Sequence, residues 1–178
     1  MSMSLTAEVL RKYPNPIFIE TGTGEGGGVQ IADACGFEII YTIDPFRPSL
    51  DLAKTLVPGC RPIIGDSRVK LVELLRFVVS PSTFWLDAHS HFSHQEPVTC
   101  VLEELEAVIK WWKPGSAVLI DDWRMFGGGK GPFTGWEKTC SQDQLLAAVQ
   151  PLCTLHDCGV LWEDALTNKA DILAVAKR

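Results

Sequence analysis

The sequence predicts an α/β fold in which a mostly parallel, doubly wound sheet carries helices on both faces and ends in an antiparallel strand pair. Three observations support this prediction. Short apolar segments alternate with stretches of helical periodicity, a glycine-rich turn joins the first apolar segment to the first helix, and the pattern changes in the C-terminal part. Because strands that alternate with helices form parallel sheets through right-handed crossovers, helices should cover both faces.

The predicted strands before the C-terminal part are short and apolar, and most end at an acidic residue. They span residues 17–19, 38–44, 62–64, 82–87 and 116–120. Helices are predicted from residue 27, after residue 48, over 69–78 and over 97–112. In the last of these, apolar residues recur with the 3.6-residue helical period. The C-terminal part adds a helix near 142–149 and an antiparallel pair of strands over 153–158 and 171–176.

The composition predicts a single domain spanning residues 1–178. With 46% hydrophobic and 21% charged residues, the chain can bury a sizeable core. The formal net charge is −6 and the basic residues are scattered, which argues against a nucleic-acid partner. The six cysteines form no C-x-x-C motif, so we expect reduced thiols and a cytoplasmic location. The N-terminal residues lack a signal-peptide pattern and no apolar stretch approaches about twenty residues, which argues against secretion and a membrane partner.

A glycine-rich segment, residues 20–26 with the sequence ETGTGEG, follows the first predicted strand. Gly22, Gly24 and Gly26 allow positive φ angles and let a ligand approach the backbone, where a Cβ would intrude. Glu20 would repel the phosphates of a dinucleotide and suits a cationic or amine-bearing ligand. The segment therefore predicts a loop that binds a nucleotide-like cofactor. A tight turn without a ligand is the structural alternative.

This segment resembles the first motif of the class I S-adenosylmethionine (SAM)-dependent methyltransferases, an acidic residue followed by x-G-x-G-x-G. The resemblance implies a Rossmann-like fold and SAM as the cofactor. It also implies a set of cofactor-binding residues in the loop, namely Glu20, Gly22, Thr23, Gly24 and Gly26. An NAD-linked oxidoreductase is the alternative within enzymes, since Gly27 also completes a G-x-G-x-x-G pattern.

Two further strand ends extend the predicted cofactor site. Asp44 ends the second strand roughly twenty residues beyond the glycines, which is the spacing of an acid that binds ribose hydroxyls. By resemblance to the methyltransferases, Asp66 bonds the adenine amino group and Ser67 lies beside the ring. Helix capping is the alternative for these residues, because Asp and Ser are common N-caps.

Asp87 ends the fourth predicted strand. Ligands of open α/β sheets bind outside the carboxyl ends of the strands. We therefore expect Glu20, Asp44, Asp66 and Asp87 to line one edge of the sheet, with Asp87 also beside the cofactor.

The fifth predicted strand ends in Asp121 and Asp122, which follow Asp87 at the neighbouring strand end. Three carboxylates so placed can hold a hard divalent cation. In metal-dependent O-methyltransferases of the resembled family, acids at these positions bind magnesium, so the resemblance implies Mg²⁺ or another divalent metal at Asp87, Asp121 and Asp122. A helix-capping or solvated pair is the alternative for the last two.

The catalytic residues are predicted near Asp87. Catechol-type enzymes of the family have a lysine base three residues after the first acid, where this sequence has Ser90. His89 or His91 could replace that base, since histidine titrates near neutral pH. A zinc site formed by Asp87, His89, His91 and His94 is one alternative, and a solvated loop is another.

Residues 123–136 combine three successive glycines with large apolar side chains. They are typical of a lid that closes over a substrate, or of a surface loop that contacts a second copy in a homodimer. The whole pattern predicts methyl transfer from SAM to a hydroxyl of a small-molecule acceptor. The alternatives are an NAD-linked oxidoreductase and a non-catalytic scaffold that retains SAM binding.

Overall fold

The computed structural model describes residues 4–90, 98–128 and 139–177. Its main feature is a seven-stranded sheet with the order β3-β2-β1-β4-β7-β9-β8, which confirms the predicted fold class. The strands are β1 (Ile17–Thr21), β2 (Ile39–Asp44), β3 (Arg61–Ile64), β4 (Ser82–Leu86), β7 (Ala117–Ile120), β8 (Cys158–Glu163) and β9 (Ile172–Lys177). A separate two-stranded ladder pairs β5 (His89–Ser90) with β6 (Val98–Thr99).

Helices cover both faces of the sheet. They are α1 (Ala7–Leu10), α2 (Gly27–Ala34), α3 (Arg47–Leu56), α4 (Ser67–Leu75), α5 (Val101–Lys110) and α6 (Gln142–His156). Alternate residues of a strand point to opposite faces. Phe18 therefore packs with α1, α2 and α3, whereas the adjacent Ile19 packs with α4, α5 and α6. The two apolar layers make the central strands β1, β4 and β7 almost fully buried.

The register brings the carboxyl ends of the central strands together. Thr21 at the end of β1 lies opposite Ile43 of β2 and Leu86 of β4. Leu86 lies opposite Ile120 of β7. The residues that follow these strands therefore share one edge of the sheet, which we call the carboxyl rim.

Two strands were predicted in the C-terminal part, of which the first is wrong and the second is confirmed. The predicted strand over 153–158 is wrong, because α6 continues to His156 and the strand β8 begins only at Cys158. Leu145, Val149 and Leu152 lie at helical spacing and are fully buried, so packing carries the helix past Pro151. The last strand is confirmed, and β9 pairs antiparallel with both β7 and β8.

Smaller differences concern the connections. The helix predicted over 97–112 is shorter, Val101–Lys110, because residues 98–99 belong to β6. All six cysteines lie in the described residues, and none of them forms a disulfide there. Within the described ranges, no helix has the length and hydropathy needed to cross a membrane.

Candidate functional site

The glycine loop between β1 and α2 lies on the carboxyl rim. Gly22, Gly24 and Gly26 have φ angles of 81°, 52° and 78°. A side chain on Gly22 would overlap the backbone carbonyl of Asp87, so this glycine lets the loop pack against the end of β4. A Cβ on Gly24 would meet no atom within 4 Å. Gly24 therefore presents bare backbone to open space on the rim.

Asp44 fixes this loop to the end of β2. Its Oδ2 accepts hydrogen bonds from the backbone N–H groups of Thr23, at 2.9 Å, and Gly24, at 3.4 Å. Its Oδ1 accepts one from the N–H of Phe46 at 2.7 Å. Asp44 does not cap α3 with its side chain, since the N-cap is Phe46. Its assignment as a ribose ligand stays a prediction.

Glu20 lies beneath the loop and not at its surface. The side chain is 2% exposed, and its Oε2 accepts a hydrogen bond from the Thr42 hydroxyl at 2.6 Å. A Cβ on Gly28 would overlap Oε1 of Glu20, so the first turn of α2 packs directly on this carboxyl group. Burial, and next the nearby charge of Asp44, raise the pKa of Glu20 to about 8. The expectation that Glu20 lines the rim with the other acids is wrong, because the carboxyl group points into the protein.

Asp66 and Ser67 begin α4 at the end of β3. Asp66 is the N-cap and accepts a hydrogen bond from the N–H of Arg68 at 2.9 Å. It also pairs with the Arg68 guanidinium at 2.5 Å, and this hydrogen-bonded partner lowers the pKa of Asp66. Ser67 is buried, with its hydroxyl 3.4 Å from the Cys100 sulfur. The capping role is thus observed for Asp66, and the adenine contact stays a prediction.

Asp87, Asp121 and Asp122 form an acidic cluster at the ends of β4 and β7. One carboxylate oxygen from each lies within 4.8 Å of the others. Burial and then the charges of Asp121 and Asp122 raise the pKa of Asp87 well above its ordinary value. Burial and the Asp122 charge likewise raise the pKa of Asp121. The predicted convergence of these three side chains is therefore confirmed, and a cation would relieve their repulsion.

An arginine that sequence reasoning missed lies beside this cluster. Nη1 of Arg124 is 3.1 Å from Oδ1 of Asp122 and also pairs with the carboxylate of Asp171. Asp171 is 1% exposed and accepts a hydrogen bond from the backbone N–H of Arg124 at 2.9 Å. The positive charge of Arg124 thus partly neutralises the carboxylate of Asp122, and it offsets the negative charges of Asp87 and Asp121 less. Asp171 precedes the last strand, but nothing in the sequence pairs it with Arg124.

His89 lies close to the acidic cluster in sequence but is 8% exposed. Its Nδ1 is 3.1 Å from the Thr99 hydroxyl, and its ring meets Phe126 edge to face at 5.5 Å. The acidic cluster found among the described residues does not include His89. His91 and His94 lie outside the described residues. The catalytic roles of His89 and His91, and the zinc alternative, stay predictions.

The segment predicted to be a lid begins with a single 3₁₀ turn, Trp123–Gly127. Met125 and Phe126 are 2% and 1% exposed, so these two apolar side chains do not form an exposed surface of a lid or loop. They pack into the core beside α6 because the turn folds back against the sheet. Residues 129–138 of the predicted lid lie outside the described residues.

Glu104 on α5 is a second residue that sequence reasoning missed. It is fully buried, and its Oε1 lies 3.5 Å from the Cys100 sulfur. Among the described residues, Oε2 has no hydrogen-bond partner of good geometry. Burial raises the pKa of Glu104 to about 7, and the hydroxyls of Ser67 and Thr21 offset part of this effect. The available signal was a charged residue within the apolar stripe of a helix.

Comparison with solved structures finds the same fold in methyltransferases. An O-methyltransferase from Bacillus cereus, solved with SAH, has a TM-score of 0.64 at 15% identity, over 96% of this chain and 78% of that chain. SAM-bound CalS10, an amino pentose methyltransferase from Micromonospora echinaspora, has a TM-score of 0.61 at 14% identity, over 97% and 88%. A Mg-SAM structure of CmcI has a TM-score of 0.59 at 12% identity, over 96% and 68%.

At these identities the likeness establishes the fold, which is that of the class I SAM-dependent methyltransferases. The sequence matches no protein-family model and no curated protein.

Proposed function

We propose that the protein is a SAM-dependent methyltransferase that acts on a hydroxyl group of a small molecule, with assistance from a divalent metal. One observation carries this proposal. The register of the sheet places the glycine loop and the three-carboxylate cluster side by side on the carboxyl rim. The fold is shared with proteins whose structures hold SAM or SAH, and one of these also holds magnesium.

The cofactor loop fits SAM in three respects. Gly24 leaves its backbone open, Asp44 fixes the loop from below, and Phe46 presents a 57% exposed ring next to Asp44. An exposed aromatic face suits a planar adenine. When bound, SAM supplies a methyl group on a cationic sulfonium. The excess of carboxylates near the loop favours such a cation and disfavours a pyrophosphate.

The acidic cluster fits a hard divalent cation, because its three ligands are carboxylate oxygens within reach of one another. Asp87, Asp121 and Asp122 would hold the ion. When bound, such an ion lowers the pKa of a hydroxyl group that it touches. Burial and mutual repulsion raise the pKa values of Asp87 and Asp121, and a cation held by these carboxylates would relieve that repulsion.

Two other functions are less well supported. An NAD-linked oxidoreductase would have to place a pyrophosphate beside the carboxylates of the rim, which costs electrostatic free energy. A scaffold that binds SAM without turnover keeps the same loop, so only an activity measurement separates it from an enzyme. We further place the protein in the cytoplasm, because its six cysteines are free thiols.

The direct test is calorimetric titration of the purified protein with SAM, SAH and NAD, each with and without magnesium. We expect SAM and SAH to bind and NAD not to bind. SAM should then be incubated with a panel of hydroxylated small molecules, with SAH formation as the readout and a chelator as the metal control. Binding of NAD with no binding of SAM would overturn the proposal, and SAM binding with no turnover on any acceptor would favour the scaffold.

A further inference from the structure

We propose that Thr42 is a positioning residue of the cofactor loop. Its hydroxyl connects the buried Glu20 carboxylate to Thr23, so Glu20 acts on the cofactor through two hydroxyl groups and without touching it. This inference rests on the proposed function of the same loop. It gives Thr42 a role that neither the glycine pattern nor the acids at the strand ends suggested.

The hydrogen bonds of the two threonines form a short chain with a defined direction. The Thr42 hydroxyl donates to Oε2 of Glu20 at 2.6 Å. A hydroxyl has a single proton, so the Thr42 oxygen can only accept in its second contact, which is with the Thr23 hydroxyl at 2.6 Å. With Glu20 as the acceptor, Thr23 therefore donates to Thr42. All three side chains are buried, at 2%, 0% and 3% exposure for Glu20, Thr42 and Thr23.

Thr23 is the loop residue best placed to connect these hydrogen bonds to the position of the glycine loop. Its neighbours on both sides are glycines with positive φ, which have no side chains to hold them. Glu25, the other loop residue with a side chain, is exposed. The Thr23 side chain is tied to Thr42, and its backbone N–H donates to Asp44 at 2.9 Å. Both anchors are on β2, so the loop takes its position from that strand.

Glu20 is a rigid end point for the chain of hydrogen bonds. Its carboxyl group fills the space in front of Gly28, where a Cβ would overlap Oε1. The first turn of α2 thus closes over it, and β1 and β2 hold it from below through their parallel pairing of Glu20 with Thr42. This contact also explains why Gly28 lacks a side chain although it lies beyond the loop motif.

The test compares Thr42→Val, which removes the hydroxyl at nearly constant shape, with Thr42→Ser, which keeps it. Thr83→Val is the matched control. Thr83 is also fully buried in the sheet, donates to the carbonyl of Tyr13 at 2.6 Å and accepts from Asn15 at 3.0 Å. It lies at the start of β4, away from the carboxyl rim. SAM affinity is measured by calorimetry and stability by thermal unfolding.

We expect Thr42→Val to weaken SAM binding about tenfold, as for loss of one buried hydrogen bond, and Thr42→Ser to stay within about threefold of the unchanged protein. Thr83→Val should lower the melting temperature to a similar extent but leave SAM affinity unchanged. A Thr23→Val, Thr42→Val double variant should bind SAM no more weakly than Thr42→Val alone, because both changes break the same contact. Unchanged affinity in Thr42→Val, or multiplying effects in the double variant, would overturn the inference.

A second readout does not depend on SAM. Amide hydrogen exchange of a peptide covering residues 20–28 should become faster in Thr42→Val than in the unchanged protein, and should not change in Thr83→Val. If the unchanged protein fails to bind SAM, the proposed function fails, while faster exchange would still support the hydrogen-bond chain. If exchange stays the same in Thr42→Val, the chain does not position the loop, whatever the cofactor.

Discussion

The two halves of the carboxyl rim differ in how their carboxylates are satisfied. In the glycine-loop half, Asp44 on the rim and Glu20 buried beneath the loop are hydrogen-bonded to backbone N–H and hydroxyl groups of the protein itself. In the acidic half, Asp87, Asp121 and Asp122 face one another, and burial together with the neighbouring carboxylate charges raises the pKa values of Asp87 and Asp121. One arginine, paired with the last of these, offsets only part of the charge.

This difference indicates two ways of preparing a site. The glycine loop is organised before a ligand arrives, because Asp44 and Thr42 already hold Thr23 through hydrogen bonds, and such preorganisation reduces the ordering cost of binding. The acidic cluster stores electrostatic repulsion that protons or a cation relieve. Changes in the loop should therefore alter cofactor affinity, whereas changes in the cluster should alter the response to metal and pH.

The largest expected effect is on cofactor affinity. Gly24→Val should weaken SAM binding roughly 100-fold or more, because the β-branched side chain fills the open space above the loop. Gly36→Val is the matched control, since Gly36 also has a positive φ of 85° and no atom within 4 Å of its Cβ position, but lies before β2 away from the rim. Both variants should lose similar stability, and calorimetry should show lost binding in Gly24→Val alone. Equal SAM affinities in the two variants would remove the loop from the cofactor site.

The next largest expected effect is on activity and its magnesium dependence, and it distinguishes the acidic half of the carboxyl rim from the glycine-loop half. Asp121→Asn combined with Asp122→Asn should lower methyl transfer about tenfold or more and abolish its dependence on magnesium, while SAM affinity stays within about threefold. The charge-matched control is Asp33→Asn with Asp143→Asn, which removes two exposed carboxylates elsewhere. Activity assays with added magnesium or a chelator give the readout. If the activity of the double variant equals that of the control, the cluster has no catalytic role.

The stored repulsion predicts a pH-dependent response to metal. The pKa values of Asp87 and Asp121 are raised on folding, so these groups favour the folded state below their unfolded pKa values, near 4, and this contribution is lost as pH rises through the raised values. Magnesium at one fixed concentration, ten times its Kd at pH 8, should add about 1.4 kcal/mol at pH 8 and less at pH 6, where protons compete for the carboxylates, so the rise in melting temperature should be larger at pH 8. Scanning fluorimetry at matched ionic strength checks this. A rise that is the same at both pH values would contradict it.

The smallest effect concerns Glu104. Burial raises its pKa to about 7, so it destabilises the fold as pH rises through that value. Glu104→Gln removes this ionisation. The loss of stability between pH 6 and pH 8.5 should shrink by about 1 kcal/mol in denaturant titrations. Glu106→Gln on the exposed side of α5 is the control and should not change the slope. An unaltered slope in Glu104→Gln would mean that Glu104 does not titrate in this range.

The local features of the fold were predictable from the sequence. The end of β2 at Asp44, the end of β7 just before Asp121, and the glycine loop were all predictable. Apolar runs and positive-φ glycines are local features that depend mainly on neighbouring residues. The strand predicted over 153–158 failed for the opposite reason. A short apolar run is compatible with either a helix or a strand. Here Leu152 packs against the core, and this packing favours continuation of helix α6 over a strand.

The sequence by itself determined the order of elements, the glycine loop and the arrival of acids at adjacent strand ends, because these follow from local backbone preference and the parallel topology it implies. The tertiary structure alone decided which acids turn inward. Glu20 accepts a hydrogen bond from Thr42 on β2, and Arg124 forms an ion pair with Asp171, which precedes β9. Glu104 is buried in contact with Cys100. The first two pairs join segments that are distant in sequence, and the burial of Glu104 depends on which face of α5 packs against the sheet. Only the packed fold therefore brings these atoms together.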